Sequence, residues 1–264
     1  LYDRFVNQGA VMGDSFGLEN VLWFANNKED AHEEPTIKRS RSHDYVSKEV
    51  INVRENVGLI EVANFSKHEF KGPDARKFLD HIMAGRLPKP GRISLSPMLS
   101  YRGKLCGDLT VACLDENEFM VFGSGAAQEM HKRWFESHLD RFNLNYKNRS
   151  DEFHGLSIAG PNSRKVLEKI VRDDVSNEKF KFRDSRRMFV GGVPAIINRI
   201  SFTGELGYEI YVAPHYQLKL YEELMEAGKE FNIKPFGGRA LMSMRLEKNW
   251  GAWTLDYRPD FTAK

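Results

Sequence analysis

The sequence predicts an α+β fold made of two related units. Three observations carry that prediction. The first is an internal echo. Phe70-Lys71-Gly72-Pro73-Asp74-Ala75-Arg76-Lys77-Phe78-Leu79-Asp80-His81-Ile82 is answered by Ile158-Ala159-Gly160-Pro161-Asn162-Ser163-Arg164-Lys165-Val166-Leu167-Glu168-Lys169-Ile170. Gly-Pro, Arg-Lys, Leu followed by an acid, and Ile align at a constant spacing of 88 residues. The second is that both copies have the same surroundings: a strand, Gly-Pro, a helix, paired strands and another helix. The third is composition. Hydrophobic residues make up 41% of the 264 positions and aromatics 12%, enough for a packed core and for about two domains.

Residues 1–35 read as a connecting segment. Gly9, Gly13 and Gly17 punctuate an aromatic stretch ending at Trp23-Phe24, and Asn26-Asn27-Lys28-Glu29-Asp30 makes a polar break. The first unit covers 36–150, the second 151–250, and 251–264 begins a further C-terminal region. Tyr45, Val46, Val50 and Val53 recur at helical spacing, which predicts a helix over 43–56. Val57–Ala63 and His68–Lys71 read as strands. Pro73 opens a helix carrying Ala75, Phe78, Leu79 and Ile82, and proline suits that place because its missing N–H would have no partner there. Strands follow at 93–100, 107–113 and 118–122, then a helix over 126–142 with Ala127, Met130, Trp134 and Phe142 on one stripe. The second unit continues after its own Gly-Pro helix with strands near 186–191, 193–201 and 206–212. A helix at 215–228 carries Leu220, Tyr221 and Leu224. Each unit is therefore expected as a layout of ferredoxin-like type.

A formal net charge of +2 is too balanced for a chain whose main partner is nucleic acid or an anionic membrane. Lys38, Arg39 and Arg41 form a small basic stretch, which reads as a solvated approach to a helix or as a phosphate contact. Mean hydropathy is −0.52, and no apolar run reaches the roughly 20 residues needed to cross a bilayer. Cys106 and Cys113, seven apart in one strand, are expected on opposite faces and cannot form a disulfide scaffold. A reducing compartment follows: the cytoplasm, or the mitochondrial matrix in a eukaryote. The eight histidines have no metal-ligand spacing; His131 and His138 share a helix but are not four apart. Gly123-Ser124-Gly125-Ala126-Ala127-Gln128 is dinucleotide-like only weakly, with Gln128 at the third glycine position, and the ordinary reading is a strand-to-helix turn.

Three clusters carry chemistry. Asp108 opens a strand in Gly107-Asp108-Leu109-Thr110-Val111. An acid at the mouth of a sheet can face a developing cation, although taken alone a turn-capping aspartate is the ordinary reading. In Phe202-Thr203-Gly204-Glu205-Leu206-Gly207-Tyr208-Glu209-Ile210, strand alternation sends Tyr208 and Ile210 one way and Glu209 the other. If the aliphatic side is core, Glu209 points into a cleft, where two carboxylate oxygens suit a planar edge with two parallel N–H groups; a solvent-exposed glutamate is the alternative. In Gly237-Gly238-Arg239-Ala240-Leu241, a double glycine precedes a helix whose first turn holds Arg239, against the helix dipole, which suggests an anionic partner. Arg245 and Glu247 read as structural ion pairs.

Together with Leu87-Pro88-Lys89-Pro90-Gly91-Arg92 and Met98-Leu99, these motifs resemble the folate-binding aminomethyltransferase fold of the glycine-cleavage T-protein. More narrowly they are similar to the C-terminal half of dimethylglycine and sarcosine dehydrogenases and oxidases. Gly9-Ala10-Val11-Met12-Gly13 and Leu22-Trp23-Phe24-Ala25 resemble the segment joining the flavin and folate domains of those enzymes. The resemblance implies binding of tetrahydrofolate and transfer to it of a one-carbon unit from the iminium of a small N-methyl amine, giving 5,10-methylenetetrahydrofolate. It implies Asp108 as the catalytic aspartate and Glu209 as the glutamate on the pterin edge. Arg239, Phe202, Tyr208, Met98 and Leu99 would complete the folate contacts. Phe202 stands where relatives often have tyrosine, and Glu61-x-Ala63 where Asp-x-Ser is common, ahead of Phe65 and Lys67. An FAD-bearing oxidoreductase domain before Leu1 and a β-barrel domain after Lys264 are expected in the parent chain. A non-catalytic folate-binding module and a folate-dependent RNA-modifying relative are the alternatives.

Overall fold

The computed structural model describes residues 1–15, 17–33, 36–253 and 255–257. Half of the tail expected as a further region, residues 258–264, lies outside them, as does residue 254. In chain order the elements are α1 (Tyr2–Asn7), β1 (Ala10–Ser15), β2 (Leu18–Phe24), α2 (Ser42–Glu55), β3 (Val57–Glu61), β4 (Ser66–Lys71) and α3 (Ala75–Ile82). Next come β5 (Arg92–Leu99), β6 (Leu105–Asp115), β7 (Glu118–Gly123), α4 (Gln128–Glu136), β8 (Asn145–Asn148), β9 (His154–Ala159) and α5 (Ser163–Ile170). The chain continues with β10 (Ser185–Val190), β11 (Val193–Asn198), β12 (Gly207–Val212), α6 (Gln217–Gly228), β13 (Ile233–Pro235) and α7 (Gly238–Glu247).

The 88-residue echo is a structural one. β4 and β9 begin and end at equivalent positions, as do α3 and α5. Before each helix a glycine takes a positive φ, 142° at Gly72 and 131° at Gly160, which an L side chain rarely adopts. A Cβ on Gly160 would fall 2.4 Å from the Val53 carbonyl oxygen, so that position is closed to a side chain for a second reason. Both helices bury one stripe, Ala75, Phe78, Leu79 and Ile82 in α3 and Ser163, Val166 and Leu167 in α5. Each ends in an extended residue, Met83 or Val171, that bridges to the following strand at Met98 or Val190.

The sheets run β5-β6-β7-β4-β8 and β10-β11-β12-β9-β3-β13. In both, three consecutive strands form a meander whose last member pairs antiparallel with the strand before the Gly-Pro helix. These are the three strands that the sequence places after each Gly-Pro helix, one more than the ferredoxin-like layout has there. A second difference concerns β3. It was expected in the first unit, yet it lies between β9 and β13 in the second unit's sheet. β8 and β13 are short and partly polar, which gives the sequence little to announce them.

Four layers result. One apolar cluster, including Leu109, Val111, Phe70 and Phe78, joins the outer face of the five-stranded sheet to α3 and α4. Another, including Tyr208, Ile210, Val166 and Leu224, joins the six-stranded sheet to α5 and α6. Between the sheets lies a third cluster with Ile93, Ala112, Met120 and Phe122 from one sheet and Ile60, Ile196 and Tyr211 from the other. The sheets are also tied edge to edge. The Ile93 N–H donates to the Arg183 carbonyl (2.8 Å), the Ser185 N–H to the Gly91 carbonyl (2.9 Å), and Arg92 pairs with Asp184.

Cys106 and Cys113 do not lie on opposite faces. Met98 pairs with Gly107 and Leu99 with Leu105, so Cys106 is the extra residue of a β-bulge. It packs against the same cluster as Cys113, and both thiols are free.

The first 24 residues form a helix and a hairpin rather than a plain connection. Phe5 enters the outer cluster of the six-stranded sheet, and Trp23 is fully buried. The hairpin is fixed by Glu49 of α2. Its carboxylate accepts the Phe24 N–H at 2.7 Å and the Gly237 N–H at 2.9 Å, joining β2 to the start of α7. Gly237 must be glycine here, because a Cβ would fall 2.2 Å from the Leu22 carbonyl oxygen. Burial pushes Glu49 up to about 7, against the lowering effect of the two N–H donors. Both oxygens are in use, and an amide can offer only one acceptor. Glu49→Gln is therefore expected to destabilise the fold by about 1–3 kcal/mol, seen as a lower urea midpoint with an unchanged slope; an unchanged midpoint would show that the hairpin does not need this clamp.

Candidate functional site

The inner face of the six-stranded sheet carries a polar row where an apolar one would pack better. By register Ser185 lies opposite Asn198, Asn198 opposite Glu209, and Glu209 opposite Ser157. Directly opposed residues share a face, and all four are buried. The Ser185 hydroxyl donates to Asn198 Oδ1 at 2.8 Å, and Asn198 Nδ2 has no partner among the described residues. Two residues along β12, on the same face, the Tyr211 hydroxyl donates to Glu209 Oε2 at 2.9 Å. Burial pushes Glu209 up to about 7 although that hydrogen bond favours the anion.

Tyr211 also bridges the layers. Its ring stacks on Phe122 of the facing sheet, with centroids 4.5 Å apart. Phe122 lies opposite Lys67 on one side and Thr110 on the other. Asp108 is two residues before Thr110 and shares its face. Asp108 and Glu209 therefore project from facing sheets into one interlayer space. Asp108 makes no hydrogen bond or ion pair with another described residue, and burial raises its carboxyl above the usual carboxylate range. The layer is open at its end: Pro97 opposes Asp108, and Leu95 on that inner face is 47% exposed. Lys67 is fully buried; its ammonium donates to the Ala63 carbonyl at 2.5 Å, and burial brings it down to about 8.

The other expected contacts are spread over several elements. Tyr208 faces the outer cluster, stacked on Phe180 at 5.9 Å, because one residue along a strand reverses the face. Met98 is likewise outward and fully buried. It lines a cleft of about 250 Å³ with Cys106, Met130 and Trp134. Leu99 is at the exposed end of β5. Phe202 is half-buried in the loop before β12, which is shaped by the Ser201–Thr203 hydroxyl pair at 2.7 Å and held by Lys248, whose ammonium donates to the Ser201 carbonyl at 2.8 Å. Arg239 does stand in the first turn of α7, but its anionic partner is within the chain. It pairs with Glu33, donates to Ser42 Oγ at 2.7 Å and lies over the Trp23 ring at 4.7 Å. It lines a second cleft, of about 350 Å³, with Ile60, Glu61, Asn64 and Phe65. Neither Asp108 nor Glu209 lines that cleft.

Arg245 pairs with Asp256 and Glu247 with Arg54, as structural ion pairs. The Gly123–Gln128 segment is a strand-to-helix turn in which a Cβ on Gly125 would fall 2.0 Å from the Asn64 carbonyl oxygen. Among the described residues no cluster of three His, Cys, Asp or Glu could hold a metal ion, and no helix is long and apolar enough to cross a membrane. Sequence reasoning missed Asn198, Tyr211 and Glu49. A signal existed for the first, since asparagine is depleted in strand interiors.

The comparisons with known proteins agree with this architecture. Human dimethylglycine dehydrogenase, mitochondrial, is 35% identical over 263 residues, covering 98% of this chain and 30% of that protein. The aminomethyltransferase of Thermoanaerobacter pseudethanolicus is 30% identical over 198 residues, covering 74% of this chain and 53% of that one. The chain thus spans well under two thirds of the length of these relatives. The crystal structure of glycine cleavage system aminomethyltransferase T from Bartonella henselae superposes with a TM-score of 0.82 at 22% identity, over 99% of this chain and 65% of that one, which establishes the fold. The family description "GCVT N-terminal domain" matches residues 1–264, and the chain belongs to that aminomethyltransferase-like, folate-binding family.

Proposed function

We propose that this chain is a tetrahydrofolate-binding one-carbon transfer domain. It takes the methylene unit from the iminium of an oxidised N-methyl amine, such as dimethylglycine or sarcosine, and yields 5,10-methylenetetrahydrofolate. The observation that carries the reading is the pair of inward carboxylates, Asp108 and Glu209, on facing sheets. Tetrahydrofolate, when bound, supplies secondary amines that accept a one-carbon unit.

The residues fit such a ligand. Glu209 has one oxygen held by Tyr211, so its orientation is fixed before binding. A fixed carboxylate pairs well with a planar edge bearing two N–H donors. Asp108 has no side-chain partner among the described residues, so its charge is free to stabilise an incoming cation and to take up or release a proton. Its half-buried setting strengthens that interaction relative to open water. Asp108 also favours this reading over a non-catalytic folate-binding module, since a binding edge alone needs no second carboxylate. The near-neutral charge weighs against an RNA-modifying role. Tyr208 and Met98 pack in the outer clusters and within this proposal support the fold, while Arg239, Phe202 and Leu99 are assigned to the margin of the site.

The partner that forms the iminium would be a flavin oxidoreductase domain carrying FAD. The length of the dehydrogenase relative, more than three times the matched part, supports this. Its mitochondrial name supports the matrix as the compartment in a eukaryote, with the cytoplasm otherwise.

By calorimetry, Glu209→Ala is expected to weaken tetrahydrofolate binding at least tenfold, about 1.4 kcal/mol; no binding by the unaltered protein would sink the folate reading. In the protein joined to its oxidoreductase, Asp108→Ala is expected to abolish methylenetetrahydrofolate formation while amine oxidation continues. Equal transfer activity would remove Asp108 from the mechanism. A donor edge needs the Glu209 anion, so affinity should be full above pH 7 and fall about tenfold per pH unit below it. Tyr211→Phe removes the hydrogen bond that favours the anion, so the midpoint of this profile should move upward; a downward move or none would contradict the role given to that hydroxyl.

A further inference from the structure

We propose that Asn198 is a specificity-determining residue that reads the ligand edge beside Glu209, donating its side-chain N–H to a carbonyl oxygen of a 2-amino-4-oxo pyrimidine ring. The inference rests on the tetrahydrofolate reading and deepens it.

Asn198 ends β11 with no exposed surface. A buried amide donor is almost always paired, because leaving it unpaired penalises the fold. Here Oδ1 is taken by Ser185, and Nδ2 has no partner among the described residues. Across the ladder Asn198 lies directly opposite Glu209 on the inner face. Side chains so opposed are about 5 Å apart at Cβ, a spacing within the reach of one six-membered ring. The two residues thus present, side by side, one unused donor and one carboxylate. The complement is an edge reading acceptor, donor, donor. In a 2-amino-4-oxo pyrimidine these are O4, N3–H and the 2-amino group. A 2,4-diamino ring offers a donor where O4 stands and meets Nδ2 with a clash of like groups. The pair therefore selects the 4-oxo form.

The test is a cycle of two ligands against two proteins, by calorimetry. The ligands are tetrahydrofolate and its 4-amino-4-deoxy counterpart. Losing N3–H costs both proteins alike, so only the coupling reports on Asn198. The ligand change is expected to weaken binding to the unaltered protein at least tenfold more than to Asn198→Ala. Asn198→Asp keeps an acceptor for the Ser185 hydroxyl and replaces the donor by an acceptor, so it should shift the preference toward the 4-amino ligand further than Asn198→Ala does. Coupling within twofold, or no shift of preference in Asn198→Asp, overturns the proposal. Should neither variant fold, the unaltered protein decides it. One side-chain N–H of Asn198 should move downfield in a 15N–1H spectrum when tetrahydrofolate is added, and not with the 4-amino compound; identical shifts, or none, overturn it. If tetrahydrofolate binds and Glu209→Ala weakens it while the coupling is absent, only the Asn198 assignment fails. If tetrahydrofolate does not bind at all, the folate reading itself fails.

Discussion

Tyr211 stacked on Phe122 ties the polar row to the packing of the two sheets. The stack belongs to an apolar layer shared by both sheets, and the same tyrosine hydroxyl orients Glu209. Around that contact the chain buries groups that a structural layer would avoid: a carboxylate, an amide, a lysine and two serines. Desolvation pushes Glu209 and Lys67 toward neutrality. Such an interior is costly unless it is completed by something that pairs with it. The arrangement is therefore a rigid frame around incompletely satisfied polar groups, which is what a preorganised ligand site requires.

Much of this was legible from residue patterns. Strand alternation alone separated Glu209 from Tyr208, and the structure sends them to opposite faces. The spacing between Ala75 and Ser163 revealed the repeated strand and helix, because the same buried stripe and the same positive-φ glycine recur. What remained hidden depends on distant partners. Nothing near Arg239 in the sequence points to Glu33, more than 200 positions earlier. The bulge at Cys106 shifts one strand by one residue, and only pairing with Met98 and Leu99 reveals it. The Asp108 face followed from the strand, but its openness depends on Leu95 and Pro97, which belong to another strand.

The N-terminal hairpin illustrates how one buried group can change the meaning of a segment. Its glycines and polar break suggest a connector. Glu49 turns it into part of the body by taking one N–H from β2 and one from the start of α7. The same helix start carries Arg239 over Trp23 of that hairpin. The second cleft is therefore bounded by elements from both ends of the chain, β2 and α7, with β3 between.

The position of β3 also bears on how the molecule can assemble. Among the described strands β13 pairs with β3 alone, and β3 is the neighbour of β9. Five strands of the six-stranded sheet come from residues beyond 150, and the remaining one from 57–61. During synthesis, then, an early strand must wait for partners made about 100 to 175 residues later, and its close requires long-range pairing of the kind that slows folding. A chain cut between the two units would leave β13 without a ladder and β9 as a bare edge open to pairing with another molecule. The halves repeat a strand and a helix, yet residues beyond 150 alone do not complete the six-stranded sheet.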